Sequence, residues 1–150
     1  QLNEIMRTEA PISRSLLSSR IFNAYGILRK TARLIEWMDG ILDKTPYYKQ
    51  EIDGLVFYWN TKEEADSYTG FRIDSKREAV DLPPREVANA ARNILKQQVA
   101  LPLVDLMRVT AQLLGYARFG LNVETAMRRG VQILLDGEEV KIEGGKILMK

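Results

Sequence analysis

An α+β, mostly helical architecture in which one unit is used twice is what this sequence predicts, and three observations predict it. The chain aligns with itself: Glu4-Ile5-Met6-Arg7-Thr8-Glu9-Ala10-Pro11-Ile12 lines up with Asn93-Ile94-Leu95-Lys96-Gln97-Gln98-Val99-Ala100-Leu101 at an offset of 89 residues. Carried forward, that offset pairs Leu17 with Leu106, Gly26 with Gly115, Arg29 with Arg118, Leu34 with Val123 and Met38 with Met127. One extra residue then shifts it to 90 and sets Ile52-Asp53-Gly54 on Ile142-Glu143-Gly144. Both halves also carry apolar residues at helical spacing in three successive stretches. Both end on strand-like residues around a glycine turn, as a two-stranded hairpin does. The division that follows is a first unit over 1–59 with a truncated first helix, a connector over 60–82 and a second unit over 83–150.

In the first unit, Leu2, Ile5 and Met6 form the end of the first helix. Ser13 suits the N-cap of the next, with Leu16, Leu17, Ile21 and Ala24 as its apolar face and Gly26 closing it. Thr31 suits the N-cap of the third, buried through Leu34, Ile35, Met38, Ile41 and Leu42. Residues 47–52, the Asp53-Gly54 turn signal and residues 55–59 make the hairpin. The connector is polar and acid-leaning, with Gly70 as its bend and a short strand expected at Phe71-Arg72-Ile73.

In the second unit, Pro83-Pro84 suits a helix start because proline's fixed φ and missing N–H cost nothing in the first turn. Val87, Ala91, Ile94 and Leu95 continue that helix to about Val99, and Ala100-Leu101-Pro102 breaks it. Leu103, Leu106, Met107, Leu113 and Leu114 form the second helix, which Gly115 ends in the left-handed conformation. Asn122 suits the N-cap of the third helix, buried through Val123, Met127, Val131, Leu134 and Leu135 and ended by Asp136-Gly137. Val140-Lys141-Ile142 and Lys146-Ile147-Leu148-Met149 flank Glu143-Gly144-Gly145 as the second hairpin. Three helices followed by a two-stranded ribbon is the winged-helix form of the helix-turn-helix, whose third helix enters a groove of DNA. A repeated unit of this kind reads as a tandem binding module.

Composition sets the bounds. With 150 residues, 45% of them hydrophobic, the chain can bury one ordinary core or two small ones. Its apolar runs are too short to span a bilayer. No cysteine and no histidine occur, which removes disulfides, thiolate metal sites, the commonest general base and the nucleophiles that depend on imidazole. A cytoplasmic location suits that composition, no cofactor or metal is expected, and no membrane partner. The chain opens on Gln1 with no secretory pattern, so it reads as part of something longer. The net charge of +2 is unevenly spread: 8 basic and 7 acidic side chains over 1–59, 4 and 6 over 60–82, and 10 and 7 over 83–150. The balances are +1, −2 and +3, which permits a nucleic-acid face in the second half.

The run Glu9-Ala10-Pro11-Ile12, the Gly26 and Arg29 that follow, Phe57-Tyr58-Trp59, and Leu82-Pro83-Pro84-Arg85-Glu86-Val87 together resemble an uncharacterised domain family. That family lies at the C-terminus of large bacterial helicase-like proteins of superfamily 1, often beside a restriction-endonuclease-like domain. The resemblance spans nearly the whole chain and carries no catalytic residues with it. It implies an accessory module of a DNA-handling ATPase, with other domains of that parent protein as partners and the motor and any nuclease located elsewhere.

The candidate residues follow from the helix faces. On the third helix of the second unit, Asn122, Thr125, Arg128, Arg129 and Gln132 lie opposite the buried stripe and offer donors to phosphate and base edges together; Lys141 and Lys146 on the hairpin extend that set. The plainer alternative is a solvated face on which Glu124 pairs with Arg128 at i,i+4. The matching helix of the first unit exposes Arg33, Glu36, Asp39 and Asp43, whose acidity would repel phosphate, so Arg33, Glu36, Trp37 and Asp39 form a protein-docking candidate instead. Arg29 and Arg118 occupy one turn position in both units and read as caps of the preceding helix ends. Trp37 and Trp59 read as packing residues rather than base-stacking platforms. Glu139-Val140-Lys141 copies the acid-x-lysine half of a metal-dependent nuclease with Asp136 or Asp105 as a second acid, but the triplet falls in a hairpin and Asp136 at a helix end. Gly144-Gly145-Lys146 is no phosphate loop, because Ile147 follows where Ser or Thr is needed. DNA binding through the second unit is thus the first reading, docking within the parent protein the second, and a latent nuclease the third.

Overall fold

The computed structural model describes residues 1–73 and 76–150, and these form two compact units, residues 1–67 and 68–150. Each holds its own hydrophobic core and its own three-stranded antiparallel sheet. The fold is α+β and mostly helical, and no described helix is long and apolar enough to cross a membrane.

In the first unit the order is α1 (Leu2–Glu9), β1 (Ile12–Ser13), α2 (Arg14–Ala24), α3 (Ala32–Leu42), β2 (Tyr48–Ile52), β3 (Leu55–Trp59) and α4 (Lys62–Ser67). The expected caps are made: Ser13 Oγ accepts from the Leu16 amide at 3.1 Å and Thr31 Oγ1 from the Leu34 amide at 3.2 Å, each satisfying one orphan donor of a first turn. Asp53 and Gly54 both take positive φ, 51° and 79°, as a two-residue hairpin turn between right-twisted strands requires. Met6, Ile12, Leu17, Ile21, Phe22, Met38, Leu42 and Tyr58 form the core. Beside it, the Arg14 guanidinium donates to the Tyr58 hydroxyl at 2.8 and 3.1 Å and also bonds Asp43.

The second unit follows the same order with a longer first helix: α5 (Pro84–Gln97), β4 (Leu101–Pro102), α6 (Leu103–Leu113), α7 (Leu121–Asp136), β5 (Val140–Glu143) and β6 (Lys146–Met149). Alanines on α5 and Gly130 on α7 let the two helices approach closely. A Cβ added at Gly130 would stand 2.3 Å from Val87 Cγ1 and 3.0 Å from the Ala88 amide nitrogen.

The helix ends match across the units. Ile27 donates to the Phe22 carbonyl and Gly26 to that of Asn23; Tyr116 donates to Ala111 and Gly115 to Gln112. Gly26 and Gly115 have φ of 72° and 100°. These four bonds are two Schellman-type closures 89 residues apart, and they use backbone alone. Arg29 and Arg118 therefore do not have the capping role expected of them; both are exposed.

Several sequence expectations are corrected. Each hairpin gains a third, short strand before the second helix, β1 on β3 and β4 on β6. The sequence Ala100-Leu101-Pro102 does break a helix, but β4 is an edge strand, where Pro102 loses no ladder bond. The 90-residue offset resolves into two others. The pair Ile12–Tyr58 corresponds to Leu101–Ile147 at an offset of 89 in both members, whereas the turns Asp53-Gly54 and Gly144-Gly145 differ by 91. Between the third-strand pairing and the turn the first hairpin has four pairs, Tyr58–Lys49 to Leu55–Ile52, and the second two, Ile147–Ile142 and Lys146–Glu143; an even difference keeps every side chain on its face where a single shift would invert them.

Helix α7 starts at Leu121 with Gly120 as its N-cap, so Asn122 lies inside the first turn instead of capping it. The extended backbone of Gly120 supplies the first carbonyl, accepting from the Glu124 amide at 2.9 Å. No strand forms at 71–73. Residues 60–82, expected as one connector, divide between the units: α4 is part of the first, with Glu63, Glu64 and Asp66 exposed on it. The part that follows α4 is held on α5. Glu86 accepts from the Arg72 backbone amide at 2.8 Å, and Asn89 donates to the Tyr68 and Gly70 carbonyls at 3.0 and 2.9 Å.

Candidate nucleic-acid interface

Helix α7 buries Ala126, Met127, Gly130, Val131 and Leu134, and at 100° per residue the opposite side belongs to Asn122, Thr125, Arg128, Arg129 and Gln132. Asn122, Thr125, Arg128 and Gln132 are exposed, and Arg129 is half-buried. The polar groups have local partners. Thr125 Oγ1 donates to the Leu121 carbonyl at 2.9 Å, the Arg128 guanidinium meets Glu124 at 3.3 Å, and Gln132 Nε2 donates to Asp136 at 2.7 Å. An exposed i,i+4 pair of this kind is worth about 0.3–0.5 kcal/mol. A phosphate competes with it at little cost.

On the hairpin, Lys141 and Lys146 are both exposed, with Lys141 paired to Glu143 at 2.9 Å. The adjoining Glu139 is committed elsewhere. Arg92 grips it in a two-pronged pair at 2.7 and 3.0 Å, and that hydrogen bonding holds its carboxyl below the usual range. No group of three or more acidic side chains placed to hold a metal occurs among the described residues.

The face of α3 differs from expectation. Arg33 and Glu36 are exposed and Asp39 is half-buried, but Asp43 is neutralised by Arg14 and by Lys49 at 3.2 Å, and hydrogen bonding from Lys49 keeps its carboxyl low. The acid surplus there is smaller than the sequence count. Ile35 and Ile41, expected in the core, are 43% and 40% exposed, and Trp37, expected to pack, is 57% exposed. The 89-residue offset sets Trp37 and Ile41 on Ala126 and Gly130, and in the second unit the N-terminal half of α5 lies over Gly130. Trp59, by contrast, is buried as expected, its indole N–H donating to Gln50 at 2.8 Å.

Two cations outside the predicted site, one in each unit, belong to contacts between the second helix and the turn into the third. Lys30 donates to the Ser19 hydroxyl, and the Arg108 guanidinium sits over the Phe119 ring, 5.3 Å from its centre. Their signal lay in the self-alignment, which sets Ser19 on Arg108 and Lys30 on Phe119. No family model matches the chain, and no curated protein or solved structure matches it either.

Proposed function

We propose that the chain is a tandem pair of winged-helix units acting as an accessory DNA-binding module, without catalysis of its own, and that the second unit takes duplex or junction DNA through α7 and the β5–β6 hairpin. What supports this is one juxtaposition: a polar helix face of Asn122, Thr125, Arg128 and Gln132, solvent-exposed, on the helix directly preceding a hairpin with exposed Lys141 and Lys146. The resemblance to the domain of helicase-like proteins extends the reading. The parent protein then supplies the ATP-driven motor, and this chain holds DNA to it.

The experiment is binding of labelled duplex, forked and single-stranded DNA across a series of salt concentrations. Replacing Arg128 and Arg129 together by alanine is expected to weaken binding and to flatten the slope of log affinity against log salt by about 0.9 for each phosphate no longer held. A double variant with unchanged affinity and slope removes α7 as the reader. The chain alone is also expected to leave ATP and DNA intact with magnesium or manganese present. Cleavage abolished by Glu139→Ala reverses that expectation.

A second reading, docking within the parent protein, is favoured by α3, where Trp37, Ile35 and Ile41 are exposed beside Arg33 and Glu36. An exposed Trp flanked by Ile offers the kind of aromatic anchor that carries protein interfaces. The two readings use different units and are compatible.

A further inference from the structure

The self-alignment at 89 residues yields identities at Ile5 and Ile94, Leu17 and Leu106, Gly26 and Gly115, Arg29 and Arg118, and Met38 and Met127. Leu17, Leu106, Met38, Met127 and Ile94 are buried in their cores and Ile5 lies against its own. Gly26 and Gly115 take left-handed backbone. Packing and conformation account for all of these. Arg29 and Arg118 are different: both are exposed, and backbone bonds close the helix ends that they follow.

The residue that follows each of these arginines, Lys30 after Arg29 and Phe119 after Arg118, takes part in an interaction that carries a second cation, and the two sides of that interaction are exchanged between the units. In the first unit the turn residue Lys30 supplies the cation and α2 supplies the anchor, Ser19. In the second, α6 supplies the cation, Arg108, and the turn supplies the anchor, the ring of Phe119. Positions 19 and 108 correspond, as do 30 and 119. The positive charge has kept its place while the residue providing it has changed. Neither Arg29 nor Arg118 is buried, and neither closes the helix end it follows; an exposed cation–π pair such as that of Arg108 is worth only about 0.5–1 kcal/mol.

We propose that each unit carries a two-cation phosphate site at the turn into its third helix, α3 or α7, with Arg29 and Lys30 in the first and Arg118 and Arg108 in the second, and that both sites hold backbone phosphates of a nucleic acid. This rests on the DNA reading above and extends it to the first unit, at a turn separate from the acidic side chains of α3. These turn residues carry no base information. They add affinity and salt dependence that are uniform across sequences.

The test measures binding of the whole chain to a labelled duplex across a salt series. Arg29→Gln with Lys30→Gln should lower the salt slope by about 1.8, Arg108→Gln with Arg118→Gln by about the same, and all four together by about 3.6, at about 0.9 per phosphate. Arg29→Lys and Arg118→Lys, which keep the charge, should restore the parental slope. If the turn pairs leave the slope unchanged while Arg128→Ala with Arg129→Ala flattens it, the turn sites are overturned and the DNA reading stands. If only the second-unit pair acts, the duplicated site is overturned. If the parent chain binds no DNA form at low salt, both readings fall together.

Discussion

Glu86 has no solvent exposure, and both its oxygens are gripped by arginine. Arg77 donates to them at 2.7 and 2.8 Å, and Arg72 at 2.9 and 3.0 Å. Burial pushes the carboxyl up, but the hydrogen bonds and charges of Arg77 and Arg72 outweigh it and hold the pKa below the usual carboxylate range. Glu86→Ala takes from Arg77, which is 6% exposed, the carboxylate that both ends of its guanidinium reach. Removing one partner of a buried pair costs about 3–5 kcal/mol, so chemical denaturation should show a fall in stability of that size. The depressed pKa also sets a direction with pH. Its stabilisation is complete above the unfolded value of about 4.3 and is lost as pH falls through the lower folded value. Glu86→Gln should therefore show a shallower loss of melting temperature in that acid window than the parent. An equal slope in both proteins would remove Glu86 from the acid response.

At the scale of elements, Gly26 and Gly115 close equivalent helices but stand in unequal space. Nothing lies within 4 Å of a Cβ built on Gly26, whereas one on Gly115 would meet the Ile73 carbonyl oxygen at 2.7 Å. Gly26→Ala should cost only the left-handed conformation, about 1–2 kcal/mol. Gly115→Ala should cost that and the displacement of the Ile73 backbone, and so destabilise its unit measurably more. Equal losses in thermal melts would contradict the close approach at Ile73. The same elements show what was legible. Ser13, Thr31, the glycine helix ends and the Asp53-Gly54 turn were readable because caps and turns are decided by neighbours within a few residues. The strands at Ile12–Ser13 and Leu101–Pro102 were not, because two residues leave no periodicity and their pairing comes from β3 and β6, about 45 residues further on.

For the whole molecule, the two tryptophans report on different surroundings: Trp59 is 1% exposed and Trp37 57%. Acrylamide should quench the chain's fluorescence in two components, and Trp37→Phe should abolish the accessible one. A single shielded component would mean that α3 is already covered in solution. A partner that docks on α3 should shield Trp37 and leave Trp59 as it is. Because Trp37 is on the first unit and Arg128 on the second, this measurement separates docking from DNA binding through α7.

By itself, the sequence determined the α+β class, the repeated order of three helices and a hairpin, most helix ends, and the polar side of α7, all of which follow from local spacing and turn chemistry. Tertiary structure alone decided the rest. The N-terminal half of α5 covers the side of α7 that bears Gly130, whereas the matching side of α3 is left with Trp37 and Ile41 exposed. Tyr68, Gly70, Arg72 and Arg77, in a stretch polar enough to read as a connector, are fastened by Glu86 and Asn89. The cations at the turns likewise depend on pairings between residues eleven positions apart, Ser19 with Lys30 and Arg108 with Phe119. Periodicity tells which side of a helix is apolar, but which apolar side is covered, and which charge is answered by another, depends on the neighbours that folding brings to it.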